Sequence, residues 1–190
     1  MKYLDMIKQR RSYYDIVEGE TPDNETLKQL IGDILTVTPD AFNVQAPRLV
    51  LLLDDESRKF WDKVNATFDN SLDEAKFAGF KNAKGTVLFF TDEDSTEKLM
   101  DQFPDYAQNF PVWAEHAVGM IQLNVWNALR QLELGASLQH YNPVIDEWVK
   151  ADYDIPESWK LTAQMPFGAI GSEPDAKPKL DVSERMKVIG

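Results

Sequence analysis

The sequence Gly85-Thr86-Val87-Leu88-Phe89-Phe90-Thr91 decides the fold, because it is largely apolar, rich in β-branched and aromatic residues, and of strand length. A segment of this kind predicts a buried central strand. Two further strands are predicted, upstream by the run RLVLLL at 48–53 and downstream by KLTAQMPFGAI at 160–170. We therefore expect a small sheet that is covered by helices.

The segments before, between and after these strands have apolar side chains at helical spacing. The predicted helices cover residues 2–10, 21–38, 56–78, 94–103, 113–133 and 143–150. Thr21 is the expected cap of the second helix, and Gly135 is the expected stop after the longest one. The longest helix is apolar on more than one face, which predicts burial in the core or across a subunit interface. Helices and strands do not strictly alternate, so the predicted class is α+β, with one domain over 1–190.

The charge of the chain excludes some classes of partner. It has 20 basic and 32 acidic residues, for a net charge of −12. Such a surface repels nucleic acids and anionic membranes, so we expect neither as a partner. The N-terminus does not resemble a signal peptide and no apolar run is long enough to span a membrane, so we expect a cytoplasmic protein. Basic clusters stand out against this charge, and they are Arg10–Arg11 and the group Lys177, Lys179, Arg185 and Lys187.

Few side chains of this chain could catalyse a demanding reaction without a cofactor. Cysteine is absent, and His116 and His140 are the two histidines, so a thiolate site is excluded and no metal site is expected. Neither a nucleophile-elbow pattern nor a glycine-rich phosphate loop is present. The acidic runs at 54–56 and 92–94 follow strands and are typical of solvated loops and helix starts. An enzyme with these residues would need a cofactor.

Arg10-Arg11-Ser12 is the most informative polar segment. Two adjacent arginines and a hydroxyl at a helix end can bind a phosphate through charge-assisted hydrogen bonds. A basic helix C-terminus that offsets the helix dipole would look the same. Spacing alone leaves both interpretations open.

Five segments together resemble the nitroreductase family, in its short fungal and lactic-acid-bacterial branch. They occur in the family's order over nearly the whole chain, and they are RRS at 10–12, PDAFNVQ at 39–45, AKGTVLFF at 83–90, LGASLQHYNP at 134–143 and MPFG at 165–168. The resemblance implies the nitroreductase-like α+β fold, with a small mixed sheet, in an intertwined homodimer. It also implies that the tail, about 172–190, docks on the partner subunit.

The resemblance further implies an FMN site that two subunits share. Arg10 and Ser12 would hold the phosphate and ribityl chain, with Arg11 and Tyr14 alongside. Arg185 and Lys179 would close the phosphate end. The residues that would line the ring from the other subunit are the partner's Pro39, the partner's Phe42, the partner's Asn43 and the partner's Gln45. The segment Leu138, Gln139 and His140 would lie along the reactive edge of the flavin. A backbone N–H near Leu138–Gln139 would donate a hydrogen bond to flavin N5.

The implied activity is the NAD(P)H-dependent reduction of nitroaromatics or quinones by ping-pong hydride transfer through FMN, with no catalytic side chain required. The alternative is a flavin-binding stress or regulatory protein with incidental reductase activity.

Four departures from the family pattern bear on this site. Tyr14 stands where many relatives have a Lys or Arg near flavin O2, and Asp40 replaces a serine. Ser183 stands where others pair a lysine with the C-terminal arginine. Gln139-His140 replaces a Glu-Gly pair.

Overall fold

The computed structural model describes residues 3–190. Its helices are α1 (Tyr3–Gln9), α2 (Asn24–Val37), α3 (Asp55–Thr67), α4 (Glu74–Lys81), α5 (Glu93–Gln102), α6 (Phe110–Gln131) and α7 (Asp146–Tyr153). Its strands are β1 (Ile16–Val17), β2 (Pro47–Leu53), β3 (Gly85–Asp92), β4 (Gly135–Ala136) and β5 (Trp159–Ile170). Short 3₁₀ turns lie at Ala41–Asn43, Pro104–Asn109 and Val182–Glu184.

The strand that contains residues 85–91 lies inside the sheet. The strand order is β1-β5-β3-β2, and β4 also pairs with β5. Val87 of β3 is opposite Leu51 of β2 and Met165 of β5. All residues of β3 are buried, which confirms the predicted central strand. The strand ladders are antiparallel, and the parallel component of the sheet is the bridge between Ser12 and Ala136.

Alternation along β3 gives the protein two apolar cores. Successive side chains of a strand point to opposite faces, so Val87 and Phe89 join one core while Leu88 and Phe90 join the other. The first core includes buried residues of α2 and α6, and the second includes those of α3, α4 and α7. The predicted α+β class, a small sheet covered by helices, is confirmed.

The helix bounds differ from the predicted ones: α6 begins three residues earlier than predicted, α7 is shifted by three residues towards the C-terminus, and two further differences have a clear physical cause. The second helix begins at Asn24, because the Asp23 carboxylate, and not Thr21, accepts the Thr26 N–H at 2.7 Å. The segment 56–78 is not one helix, since Asp69 and Asn70 turn the chain with φ of 54° and 55° between α3 and α4. Of the predicted first helix, Lys2 lies outside the described residues.

Gly135 was wrongly predicted as the stop signal of the longest helix. Glu133 adopts the left-handed conformation after α6, with φ of 63°. Gly135 lies in β4 instead, where a Cβ would come within 2.8 Å of the Tyr13 Cβ. This glycine therefore serves close packing of the N-terminal segment on β4.

Apolar side chains remain exposed on the long helix and the tail. Met120 and Leu123 of α6 are 40% and 45% exposed, and Val188 and Ile189 at the end of the tail are 79% and 86% exposed. Among residues 3–190, no helix is both long and apolar enough to cross a membrane.

Candidate functional site

The Arg10-Arg11-Ser12 segment follows α1 and is attached to the sheet. The Arg10 N–H donates to the carbonyls of Met6 and Ile7 in the last turn of the helix. Two residues after Arg11, the Tyr13 N–H donates to the Ala136 carbonyl at 3.0 Å. The chain around Ser12 thereby forms a bridge with β4, which fixes the positions of the two arginines relative to the sheet.

Neither arginine of this segment has a carboxylate partner. No ion pair within residues 3–190 includes Arg10 or Arg11. The Arg10 guanidinium lies 4.3 Å from the centre of the Trp126 ring. Burial, and secondarily the charge of Arg11, lower the pKa of Arg10 from its ordinary value. Arg11 donates to the Asp175 carbonyl at 2.5 Å. Both cations are available to an anion.

These arginines border a pocket of about 770 Å³ between the end of α1 and the start of the tail. The predicted site residues that line it are Arg10, Arg11, Ser12, Tyr14 and Lys179, and Lys177 adds a further cation. The fold thus brings together five residues from opposite ends of the chain. Arg185 is not among the lining residues and lies exposed after the 3₁₀ turn of the tail.

The loop before β2, residues 39–46, has an unusual backbone. Phe42, Asn43 and Gln45 have φ of 57°, 51° and 52°, the left-handed region that non-glycine residues seldom adopt. The Asp40 carboxylate accepts the Ala46 N–H at 3.3 Å and so closes the loop. This contact gives the Asp40 side chain a structural role in the loop.

The side chains of this loop do not line the arginine pocket. Asn43 and Gln45 line a second pocket of about 410 Å³, and Pro39 is exposed. Phe42 is 51% exposed, and its ring is stacked at 15° to the Trp113 ring, with centroids 5.8 Å apart. Three more rings surround Phe42, those of Phe103, Tyr106 and Phe110.

The third predicted segment, Leu138–His140, lies beside β5. Gln139 and Gln164 exchange both backbone hydrogen bonds, at 2.7 and 2.9 Å. The buried Gln164 side chain accepts the Tyr141 N–H and donates to the Asn142 side chain, which fixes the rest of the loop. Since the N–H groups of Ser137 and Gln139 both point to β5, the Leu138 N–H points to the opposite side.

Comparison with known proteins agrees with this geometry. The family model described as "Nitroreductase family" matches residues 7–169. The nitroreductase FRM2 of Saccharomyces cerevisiae is 36% identical over 92% of this chain and 91% of its own length. The chain belongs to the nitroreductase family.

Solved structures of this family give the same fold. The nitroreductase CinD from Lactococcus lactis, solved in complex with 4-nitrophenol, is 41% identical, with a TM-score of 0.93 and full coverage of both chains. A protein from Exiguobacterium sibiricum, solved in complex with FMN, has a TM-score of 0.72 over 100% of this chain and 98% of its own. At 10% identity the latter likeness concerns the fold alone. This nitroreductase-family chain is thus an oxidoreductase of the nitroreductase type.

Several residues of this candidate site were not singled out in the sequence. Trp126 lies against Arg10, Gln164 holds the 139–142 loop, and Arg48 donates to the carbonyls of Gln45 and Pro47 at the end of the other loop. A lone glutamine within the apolar run 160–170 was the one signal in the sequence that a buried polar group serves a contact there.

Proposed function

We propose that this chain is a homodimeric, FMN-dependent enzyme that uses NAD(P)H to reduce nitroaromatic compounds or quinones. The observation that carries the proposal is the pair Arg10–Arg11, which faces a pocket of about 770 Å³ without a carboxylate partner. In a chain with a net charge of −12, two adjacent cations without a carboxylate partner create a local positive potential to which an anionic ligand can bind.

Most of the charged residues around this pocket are basic and fit the phosphate of FMN, although Asp15 and Asp175 also line it. Its volume lies within the range of about 300–1,000 Å³ that is usual for cofactor and ligand pockets. Arg10, Arg11 and Ser12 offer the donors that a phosphate requires, and Lys177 and Lys179 add charge from the tail. FMN, when bound, supplies the chemistry of hydride acceptance and donation. The protein binds the cofactor, orients its ring and excludes water.

Two segments would orient the ring. The Leu138 N–H, which points away from β5, is the donor that we assign to flavin N5, in preference to the Gln139 N–H, which already bonds to Gln164. The loop 39–46 would cover the ring from the other subunit, since within one protomer Asn43 and Gln45 line a different pocket from Arg10. Exposed apolar residues of α6 and of the tail supply a surface for such a dimer.

Aromatic acceptors suit the rings around Phe42. Five aromatic side chains converge there, and stacked or edge-on contacts favour a flat aromatic molecule. The complex of CinD with 4-nitrophenol agrees with a nitroaromatic acceptor.

The test compares FMN binding by the wild type, Arg10→Ala and Arg58→Ala. Arg58 is an exposed arginine whose partners are Glu18 and Asp55, so its loss is a matched control. A charge-assisted hydrogen bond contributes about 1.5–3 kcal/mol, so Arg10→Ala is expected to weaken FMN binding by roughly 10- to 100-fold. Arg58→Ala should bind as the wild type does. A wild-type protein that binds no FMN, or a monomer by light scattering, would contradict the proposal.

The second candidate, a flavin-binding stress or regulatory protein, is favoured by one observation. Tyr14, a neutral side chain, lines the pocket beside Arg10, at the position where the family resemblance implies a cation in many members. Steady-state turnover with NADH or NADPH and a nitroaromatic or quinone distinguishes the candidates. Bound flavin with negligible turnover for every acceptor supports the second.

A further inference from the structure

The start of the C-terminal tail runs antiparallel to the arginine segment. Within the sheet, β1 pairs with β5 so that Ile16 is opposite Ile170. One position beyond this pair, the Gly171 N–H donates to the Asp15 carbonyl at 2.9 Å. The pairing of β1 with β5 therefore continues past the strand ends towards the arginines.

Two side-chain hydrogen bonds extend the same register along the arginine segment. The Tyr13 hydroxyl donates to the Glu173 carboxylate at 2.9 Å, and the Arg11 guanidinium donates to the Asp175 carbonyl at 2.5 Å. Each contact lies two residues further from β1 than the one before it, on both segments, which is the period of extended chains. Within residues 3–190, these are the hydrogen bonds that join residues 172–180 to the rest of the chain.

This part of the tail forms one wall of the arginine pocket. Ser172, Pro174 and Lys179 are among the lining residues, whereas Glu173 and Tyr13 are not. Because successive side chains of an extended chain point to opposite sides, Glu173 faces away from the pocket. The hydrogen bond between Tyr13 and Glu173 lies behind the wall, so it can affect a ligand only through the position of the tail.

Tyr13 is itself fixed by the body of the protein. It is 2% exposed, its N–H donates to the Ala136 carbonyl at 3.0 Å, and the Arg130 guanidinium lies 5.8 Å from the centre of its ring. Burial, and then the hydrogen bond to Glu173, raise the pKa of Tyr13, so its hydroxyl keeps the proton that it donates. A side chain that is already immobile loses little further entropy when it holds the tail.

We propose that Tyr13 is a positioning residue for the phosphate site, because its hydroxyl, acting through Glu173, holds the tail as the wall of the arginine pocket. The bond keeps the ammonium groups of Lys177 and Lys179, which the tail contributes to the pocket, close to the bound phosphate. Attraction between charges falls with distance, so a displaced tail weakens the binding of an anion. This inference rests on the proposed function, since it takes the anion to be the phosphate of FMN.

The experiment measures two quantities, the dissociation constant of FMN by fluorescence titration and the rate of tryptic cleavage after Lys179 in flavin-free protein. The variants are Tyr13→Phe, Glu173→Ala, Glu173→Gln and the double variant of Tyr13→Phe with Glu173→Ala. The control is Tyr153→Phe, which removes a tyrosine hydroxyl from α7, where the ring packs against the other core.

Tyr13→Phe and Glu173→Ala are each expected to weaken FMN binding by about three- to tenfold, and to accelerate the cleavage by a similar factor. The double variant should lose no more than either single variant, because both remove the same bond. Glu173→Gln should keep the FMN affinity within about twofold, since its amide oxygen accepts the same hydroxyl. Tyr153→Phe should match the wild type in both measurements.

The outcomes separate this inference from the proposed function. A wild type that binds no FMN overturns both. A wild type that binds FMN, together with a Tyr13→Phe variant of unchanged affinity or unchanged cleavage rate, overturns the inference alone. An equal loss of affinity in Glu173→Gln and Glu173→Ala also overturns it, because the amide preserves the acceptor. If Tyr13→Phe does not fold, the two variants of the exposed Glu173 decide by the same criteria.

Discussion

Arg10 and Arg48 occupy similar surroundings and differ in their partners. Both are half-buried, and their guanidinium groups lie over tryptophan rings, at 4.3 Å from Trp126 and 5.7 Å from Trp159. Arg48 pairs with the buried Asp92 at 2.6 Å, whereas Arg10 has no carboxylate partner. Arg10 and Arg48 therefore differ in the carboxylate partner and not in the aromatic neighbour. The arginine without a carboxylate is available to bind an anion, whereas the paired arginine stabilises the fold.

The largest expected difference is in stability without flavin. Arg48→Met leaves the Asp92 carboxylate buried and unpaired, and one oxygen of that carboxylate already has no hydrogen-bond partner. Breaking such a pair costs about 3 kcal/mol of the free energy of unfolding. Arg10→Met removes a cation beside Arg11 and should change the free energy of unfolding by less than about 1 kcal/mol. Urea unfolding of both apo variants measures the difference.

A double variant serves as the control for this prediction. Arg48→Met combined with Asp92→Asn removes the unpaired charge and should recover part of the lost stability. Equal destabilisation by Arg48→Met and Arg10→Met would contradict the distinction between the two arginines.

The next expected effect concerns the tryptophans. Trp126 contacts Arg10 and donates to the Ala136 carbonyl at 3.1 Å, which ties α6 to the strand that bridges Ser12. Trp126→Leu is expected to weaken FMN binding by roughly three- to tenfold, from the loss of a cation–π contact and of this anchor. Trp159→Leu, the matched control at Arg48, should leave FMN affinity within twofold. Flavin fluorescence titration gives both values, and equal losses would show that Trp126 has no special role.

Sequence patterns predicted the sheet better than they predicted the different partners of Arg10 and Arg48. The apolar runs at 48–53, 85–91 and 160–170 predicted the three long strands. Burial on both faces leaves little freedom in the composition of β3, and β2, although mostly half-buried, packs apolar residues against both cores. The same run made Arg48 look like the polar start of a strand, since the carboxylate that it meets is Asp92, 44 positions away. The RRS segment was recognisable because the family motifs accompany it.

The ion pair at Arg48 should also make stability depend on pH. Burial of the Asp92 carboxyl raises its pKa, but the hydrogen bond from Ser95 and the charge of Arg48 contribute to a net lowering of the pKa below its ordinary value. The resulting stabilisation is present above the unfolded pKa of about 3.9 and is lost as the pH falls through the lower folded value. Asp92→Asn should therefore lose stability less steeply than the wild type below about pH 5, and Arg10→Met should keep the wild-type slope. Identical acid slopes for Asp92→Asn and the wild type would contradict the role of Asp92.

The smallest expected effect tests the loop that Arg48 supports. Arg48 donates to the Gln45 carbonyl, and Gln45 has φ of 52°, a conformation that costs a non-glycine residue about 1 kcal/mol. Gln45→Gly removes this cost and keeps the carbonyl, so we expect the free energy of unfolding to rise by about 0.5 kcal/mol. Asn43→Gly should gain less, because asparagine tolerates this region better.

The rate of FMN release from Gln45→Gly then shows whether the Gln45 side chain contacts the cofactor. If Gln45 lines the ring from the other subunit, Gln45→Gly should release FMN faster than the wild type although the fold is more stable. A variant that is more stable and releases flavin at the wild-type rate would mean that the Gln45 side chain does not contact the cofactor. The loop would then owe its conformation to Arg48 and Asp40, the two residues that hold its ends, and Arg48 would have no part in the flavin site.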